Sequence, residues 1–500
     1  MALIRFEFGS QSVVSRVFRV LFYSTDGIIS YKSNDTLYRR ISPAGDPRDS
    51  IVPVLDQWIK EGKTFTRDYL QRIIKRLRHY RRYKHALEIS QWMTDQRYFD
   101  LSAGDAAIRL DLITKVHGLG EAEKYFDYIP TQLRVFQTYG ALLNCYTHEK
   151  SVDKAEALFQ KMKELGFAKT VLTYNVMLNL YSQMGQHEKL DPLMQEMEDR
   201  GIGHDKFTLS IRMSAYSAAA DVDGMEKILT RMEADPSIIV DWNAYFLMAN
   251  GYMKAGLTDK ALTMLKKSEA LITGRQRRVA VDYLLTMYAG IGKKDELYRI
   301  WNTYKASEKI YNSTYICMLS SLVKLDDIEG AEKIFGEWEL GGTSYDFRVP
   351  NRLISAYCKK GLLEKAEAII SKAIEKGKKP LSSTWDLLAS GYYENNQILN
   401  AVETLKKAIM ASRPGWRPNH ATLAGCLEYY KEQRDVEGAR KLIRLLGNSG
   451  HFSTDVCDRL LNYIENGNPD MNILDQIGED AFGDDEGRQG VMNPRVECCS

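Results

Sequence analysis

One column of small or apolar residues recurs down this chain at a step of about 35: Ala86, Ala122, Ala155, Leu190, Met225, Ala261, Leu297, Ala331, Ala366, Ala401 and Ala439. Nine residues before eight of them stands a tyrosine: Tyr146, Tyr181, Tyr216, Tyr252, Tyr288, Tyr357, Tyr392 and Tyr430. A fixed period of this size means one supersecondary unit copied many times, each copy touching only its neighbours around a continuous strip of core. It predicts an all-α fold, an α-solenoid of stacked antiparallel helix pairs. It also overrides the usual expectation that 500 residues fold as several globular domains.

The unit reads most clearly over Val171–Asp205. Val176, Met177, Leu180 and Tyr181 fall at helical spacing behind Thr173, an expected N-cap, and Gly185 ends that helix. A second helix carries Leu190, Leu193, Met194 and Met197 on one face and stops at Gly201. Pro192 sits early in it, where a missing N–H costs least and a local kink is the expected effect. Two helices with one apolar face each bury it only when the next pair stacks on them. The same frame fits Phe136–Thr170, Lys206–Asp241, Trp242–Arg277, Arg278–Tyr311, Asn312–Asp346, Phe347–Leu381, Ser382–Asn419 and His420–His451, with weaker copies at Arg67–Ser102 and Ala103–Val135. That gives ten or eleven units, with capping helices expected around Ile51–Glu61 and Thr454–Ile464. The organisation expected is a transit peptide over residues 1–30, a linker and capping helix over 31–66, the solenoid over 67–464 and an acidic, disordered tail over 465–500.

Charge constrains the partners only mildly. The net charge is +2, which is no polybasic signature. From Asn466 onward eight acids face only Arg488 and Arg495, a net −6 that leaves the rest at about +8. Seven cysteines without a C-x-x-C pair argue against a disulfide framework and fit a reducing compartment. No apolar run is long enough to span a membrane. The first 25 residues set Arg5, Arg16 and Arg19 among valines, phenylalanines and serines, with Glu7 as the one acid before Asp26. Such an Arg-rich, acid-poor stretch reads as an organellar transit peptide, for a mitochondrion rather than a plastid.

The segments YFLMANGYMKAGLTDKALTML (Tyr245–Leu265), NRLISAYCKKGLLEKAEAII (Asn351–Ile370) and the Val171–Asp205 unit resemble pentatricopeptide repeats of the plain 35-residue plant type. LYRRISPAGDPRDSIVPVLDQWIKEGK (Leu37–Lys63), followed by RIIKRLRHYRRYKHALEISQWM (Arg72–Met93), resembles the N-terminal block of a plant mitochondrial subfamily. The tetratricopeptide start W-x-x-L-G-x-x-Y is absent. The resemblance implies a superhelix that binds single-stranded RNA, one base per unit, through the fifth residue of a unit and its last. Carried over, Asn175 with Asp205 matches the family's uridine-preferring pair, and Ser210 with Asp241 resembles its guanine-preferring pair. The remaining pairs, among them Gln71/Ser102, Phe246/Arg277, Ile316/Asp346, Asn351/Leu381 and Asp386/Asn419, do not match well, and Phe246 and Ile316 offer a base edge no hydrogen bond.

The densest positive patch is Arg72, Lys75, Arg76, Arg78, Arg81, Arg82 and Lys84, read either as a phosphate-contacting surface or as a solvated helix face. A smaller cluster, Arg275, Arg277 and Arg278, has the same two readings. Catalysis has no foothold in the motifs: His148-Glu149 and His187-Glu188 lack the H-x-E spacing of a zinc deaminase, no C-x-x-C follows, and no phosphate loop or nucleophile elbow occurs. No metal or cofactor is implied. The function expected is passive binding of organellar single-stranded RNA. The alternative is an interaction solenoid on the mitochondrial ribosome, touching ribosomal RNA or ribosomal proteins without reading bases.

Overall fold

The computed structural model describes residues 35–44, 49–95, 98–274, 277–342, 344–412, 416–448 and 454–466, without the side chains of residues 278, 454 and 466. The expected transit peptide and nearly all of the acidic tail lie outside them, as do Arg275 and His451. The described residues form 25 α-helices and two short 3-10 turns, with no strand among them. By their contacts they divide into two compact units, Met1–Met264 and Leu265–Ser500.

In each unit the repeat is a helical hairpin. Its first helix (A) runs about 13 residues, as in Phe136–His148, Val171–Gln183, Trp242–Lys254 and Asn312–Lys324. A turn of one to three residues leads into the second helix (B), as in Val152–Glu164, Thr258–Ala270 and Ile328–Leu340. Within each compact unit A helices pack on their own B helices and on neighbouring A helices, which produces the stacked strip of core that the period predicts. All eleven members of the alanine column are wholly buried, because the B helix crosses its neighbours there and only a compact or flexible apolar side chain fits. The capping helices are Val52–Lys60 and Thr454–Asn466. An additional short helix, Leu37–Ile41, N-capped by Thr36, precedes the first.

The A–B turn has one geometry throughout. Five residues before each column position from Ala86 to Ala439, Ala122 excepted, the backbone enters the left-handed region: Arg81, Lys150, Gly185, Ala220, Gly256, Gly292, Asp326, Gly361, Asn396 and Arg434, at φ between 56° and 80°. The next amide then returns to the carbonyl of the tyrosine column, for example Gln186 N to Tyr181 O at 2.9 Å and Asp221 N to Tyr216 O at 2.9 Å. This is a Schellman closure. Glycine relieves the Cβ clash in four of the ten turns, while six carry a side chain at a cost of about 1 kcal/mol each. One local reading is corrected: the N-cap of the helix beginning at Val171 is Thr170, and Thr173 lies inside the first turn. At Pro192 the chain runs a 3-10 turn (His187–Lys189) directly into Leu190–Asp199, which leaves no interior amide for the proline to remove.

The tyrosine column packs between helices as expected, and its hydroxyls also reach across unit boundaries. Tyr181 donates to Glu156 at 2.9 Å, Tyr252 to Glu226 at 2.6 Å, and Tyr357 to Glu332 at 2.5 Å. Each glutamate directly follows a column residue of the preceding unit, and each also meets a lysine eight residues after the tyrosine. Those lysines are Lys189 at 2.7 Å, Lys260 at 2.9 Å and Lys365 at 2.8 Å. Their ammonium groups lie 5.1, 5.3 and 5.4 Å from the tyrosine ring centres. Burial, then the neighbouring carboxylate, pushes these phenols up, and the lysine and tyrosine bonds hold Glu156 and Glu332 below the usual glutamate range. Tyr298 makes the same link in reverse, donating at 2.8 Å to Asp327 of the following unit, where Lys294 also binds.

Candidate nucleic-acid interface

The last residue of a unit is, in eight cases, the N-cap position of the next A helix: Ser102, Val135, Thr170, Asp205, Asp241, Tyr311, Leu381 and Asn419. Ser102, Asp205, Asp241 and Asn419 accept first-turn amides with their side chains, which explains their residue types locally. The fifth residue lies one turn into its own A helix and faces the cap of the unit that follows.

Asn175 and Asp205 are brought together. Asn175 Nδ2 donates to Asp205 Oδ1 at 3.0 Å, and Asn175 Oδ1 accepts from the Thr208 hydroxyl at 2.7 Å. Asp205 Oδ1 also accepts the Thr208 amide at 2.8 Å, closing a capping box. The Asn175 amide is therefore fixed in plane with one N–H uncommitted to these partners, and only 3% of the residue is exposed.

Ser210 and Asp241 share no hydrogen bond among the described residues. Asp241 is engaged by Lys206 Nζ at 2.9 Å and caps the helix at Asn243 N, 3.1 Å away. A hydroxyl on so short a side chain does not span the gap that an asparagine crosses.

The same junction recurs where the residue code did not match. Thr384 donates to Asn351 Oδ1 at 2.9 Å, and Gln71 Nε2 donates to Asp105 Oδ1 at 2.8 Å. The Asn419 amide donates to Asp386 Oδ1 at 3.0 Å, and burial pushes that carboxyl up to about 6. The third residue of the following A helix is the partner that sequence reasoning missed. Its signal is a threonine recurring at that place in Thr138, Thr173, Thr208, Thr314, Thr384 and Thr422.

The basic helix divides. Arg78 pairs with Asp111 at 2.5 Å, and Arg82 donates to the carbonyls of Ile41 (3.0 Å), Ser42 (3.2 Å) and Ala44. These bonds tie the first units together, and they set Arg78 and Arg82 apart from the other basic residues of the patch. Arg76 lies 3.8 Å from the Tyr38 ring centre. Arg72, Lys75, Arg76, Arg81 and Lys84 are exposed. Of the smaller cluster, only the Arg277 side chain is described, half-buried at the start of Arg277–Ile291.

Among the described residues, no cluster of three or more His, Cys, Asp or Glu is placed to hold a metal ion, and no helix is long and apolar enough to cross a membrane. Burial pushes the thiols of Cys145, Cys317, Cys358 and Cys426 up to about 12, far from a nucleophilic range.

Comparison with known proteins places this architecture. The PPR repeat family model matches residues 137–179 and 169–218, and the PPR repeat model matches 247–270, 313–342 and 349–377. A mitochondrial pentatricopeptide repeat-containing protein of Arabidopsis thaliana is 48% identical over 448 residues, covering 90% of this chain and 91% of that one. The large ribosomal subunit protein mL101 (rPPR4) of the same plant is 42% identical over 418 residues, covering 83% and 85%. Among solved structures, the pentatricopeptide repeat protein PPR10 from maize aligns at a TM-score of 0.53 with 18% identity, over 83% of this chain and 62% of that one. PPR10 in complex with an 18-nt psaJ RNA element aligns at 0.50 with 19% identity, over 83% and 64%. Identity of 48% across nine-tenths of both chains, on an α-solenoid of helical hairpins, decides the assignment: this chain belongs to the pentatricopeptide repeat family.

Proposed function

We propose that the protein binds single-stranded RNA in mitochondria and acts passively, by covering a transcript segment, in RNA stability, processing, splicing or translation. The observation that carries this reading is the Asn175–Asp205 junction, a fixed amide with a donor left over, repeated in form at Asn351 and Thr384. Fixing the amide beforehand lowers the entropy lost when it meets a base. Residues 1–30 direct the chain to the organelle and are removed, in keeping with the mitochondrial naming of its relatives, and residues 465–500 form an acidic extension of the 67–464 solenoid. The protein carries out no chemistry of its own and needs no cofactor. The test is crosslinking and sequencing of RNA bound in isolated mitochondria, with mobility-shift titration of the purified chain on the recovered sequences.

A second reading is supported by the relative mL101 and by Phe246 and Ile316 at fifth positions: a solenoid held on the mitochondrial ribosome without base reading. Co-sedimentation with mitochondrial ribosomes, together with no shift of single-stranded RNA at low salt, is the result that selects it.

A further inference from the structure

Unit boundaries in Leu265–Ser500 are not equally joined. Across the first of them Arg299 bridges to Glu269 at 2.7 Å, and across the next Lys294 meets Asp327 at 2.8 Å and Lys305 meets Glu337 at 2.6 Å. The boundary before Phe347–Leu381 has Tyr357 and Lys365 on Glu332, with Lys372 and Lys376 on Glu339 at 2.8 and 3.0 Å. At the C-terminal end Arg440 pairs with Glu465 at 2.5 Å. The two boundaries that flank Ser382–Asn419 carry no ion pair among the described residues. What crosses them is neutral or single: Asn395 to Cys358 O at 3.2 Å and Thr384 to Asn351 at the first, and Ser390 with Thr422 at 2.8 Å and the Lys406 ammonium beside the Tyr430 hydroxyl at the second.

The cause is one residue. The tyrosine and the glutamate of the staple are both present as Tyr392 and Glu367, spaced 25 apart as Tyr357 is from Glu332. Eight residues past Tyr392, where Lys189, Lys260 and Lys365 stand in their units, this unit has Asn400. Asn400 is exposed and bonds only its own turn, Nδ2 to Gln397 Oε1 at 3.0 Å, and Tyr392 makes no hydrogen bond to Glu367. Glu367 is exposed, and no lysine stands at position 400 to draw it onto the phenol.

We propose that Ser382–Asn419 is a compliant joint in the solenoid, at which the units from Ser382 onward open from Phe347–Leu381 as one block at lower free energy than stapled boundaries open. In a solenoid stability is close to a sum of nearest-neighbour terms, so a weaker interface sets the opening energy of everything beyond it. The joint gives the C-terminal units freedom to reorient on a ligand while the stapled units keep their spacing.

Native-state hydrogen exchange on the full chain tests this. The expected result is a step in protection between Leu363–Glu375 and Ser382–Glu394, with no helix from Ser382 to Asn448 protected beyond the opening free energy of that step. Asn400→Lys completes the staple and slows exchange throughout that block about two- to fivefold, the size of one exposed ion pair. Lys365→Asn, the converse change one unit earlier, speeds exchange of Pro350–Lys359 and everything after it by a similar factor. Protection that falls smoothly toward the C-terminus, or an Asn400→Lys effect confined to the neighbouring turns, means ordinary end fraying and sinks the joint.

Discussion

Asn175, the fifth residue of its unit, donates its amide to Asp205, the last, at 3.0 Å, while the same aspartate caps the next helix through Thr208. One residue therefore serves two purposes, and substitutions separate them. Asn175→Ala leaves the cap intact and is expected to weaken binding to the cognate RNA by about 1–3 kcal/mol with little change in melting temperature. Asp205→Ala removes the cap as well and adds a stability loss of about 1 kcal/mol. RNA titration beside thermal melting of both variants resolves the two contributions. Equal melting losses mean that Asn175 is only a structural partner.

The Tyr357–Glu332–Lys365 staple predicts a coupled loss. Tyr357→Phe is expected to destabilise by about 0.5–1.5 kcal/mol, and a double-mutant cycle with Glu332→Gln should show less than additive effects. Acid acts in a defined direction. Glu332, Glu156 and Glu226 titrate below the ordinary glutamate value of 4.5, so their contribution is complete above that value. It fades as pH falls through the lower folded values. Urea unfolding between pH 6 and pH 3 on wild type and Glu332→Gln measures it, the variant losing less on acidification.

The left-handed turn residue Ala220, at φ 56°, carries a Cβ where its counterparts Gly185 and Gly256 carry none. Ala220→Gly relieves that clash and is expected to stabilise the fold by about 0.5–1 kcal/mol, although glycine substitution in a helix usually costs that much. Chemical denaturation with an unchanged m-value is the readout.

Asp386 behaves oppositely to the staple glutamates. Burial raises its carboxyl to about 6, so its folded state holds the proton more tightly than the unfolded chain does. Its stabilising contribution is present below the unfolded value near 4 and disappears as pH rises through 6. Asp386→Asn keeps the acceptor for the Asn419 amide without the charge. It is expected to stabilise by about 1–2 kcal/mol at pH 8 and hardly at all at pH 4, measured by melting across that range.

The basic helix predicts two phenotypes. Arg78→Ala and Arg82→Ala lower melting temperature, because Asp111 and the carbonyls at Ile41, Ser42 and Ala44 lose their donors. Arg72→Ala, Arg81→Ala and Lys84→Ala leave melting unchanged. Each is expected to reduce the slope of log affinity against log salt by about 0.7 if it meets a phosphate of single-stranded RNA. Salt titrations on the five variants distinguish the groups.

The repeat period, the helix-pair unit and the buried alanine and tyrosine columns are all legible in the chain, because each is imposed by the spacing of apolar residues along a helix, a local property. The glycine at Gly185 announced a turn, but the same turn at Lys150, Asp326 and Arg434 carried no such signal. There the Schellman closure onto the tyrosine-column carbonyl holds the backbone against the Cβ penalty. The reading positions were visible only as residue types. Whether a fifth residue meets the last depends on reach between the two ends of a folded unit, which Asn175 has, Ser210 lacks and Asp386 achieves through the Asn419 backbone amide. The basic helix follows the same rule: a run of arginines shows charge, and only packing shows that Arg78 and Arg82 make bonds inside the chain. Sequence alone thus determined the family and the repeating architecture. Tertiary structure alone decided which polar side chains stay available, because hydrogen-bond partners some 20 to 40 residues apart are chosen by the stacking of units and not by their order in the chain.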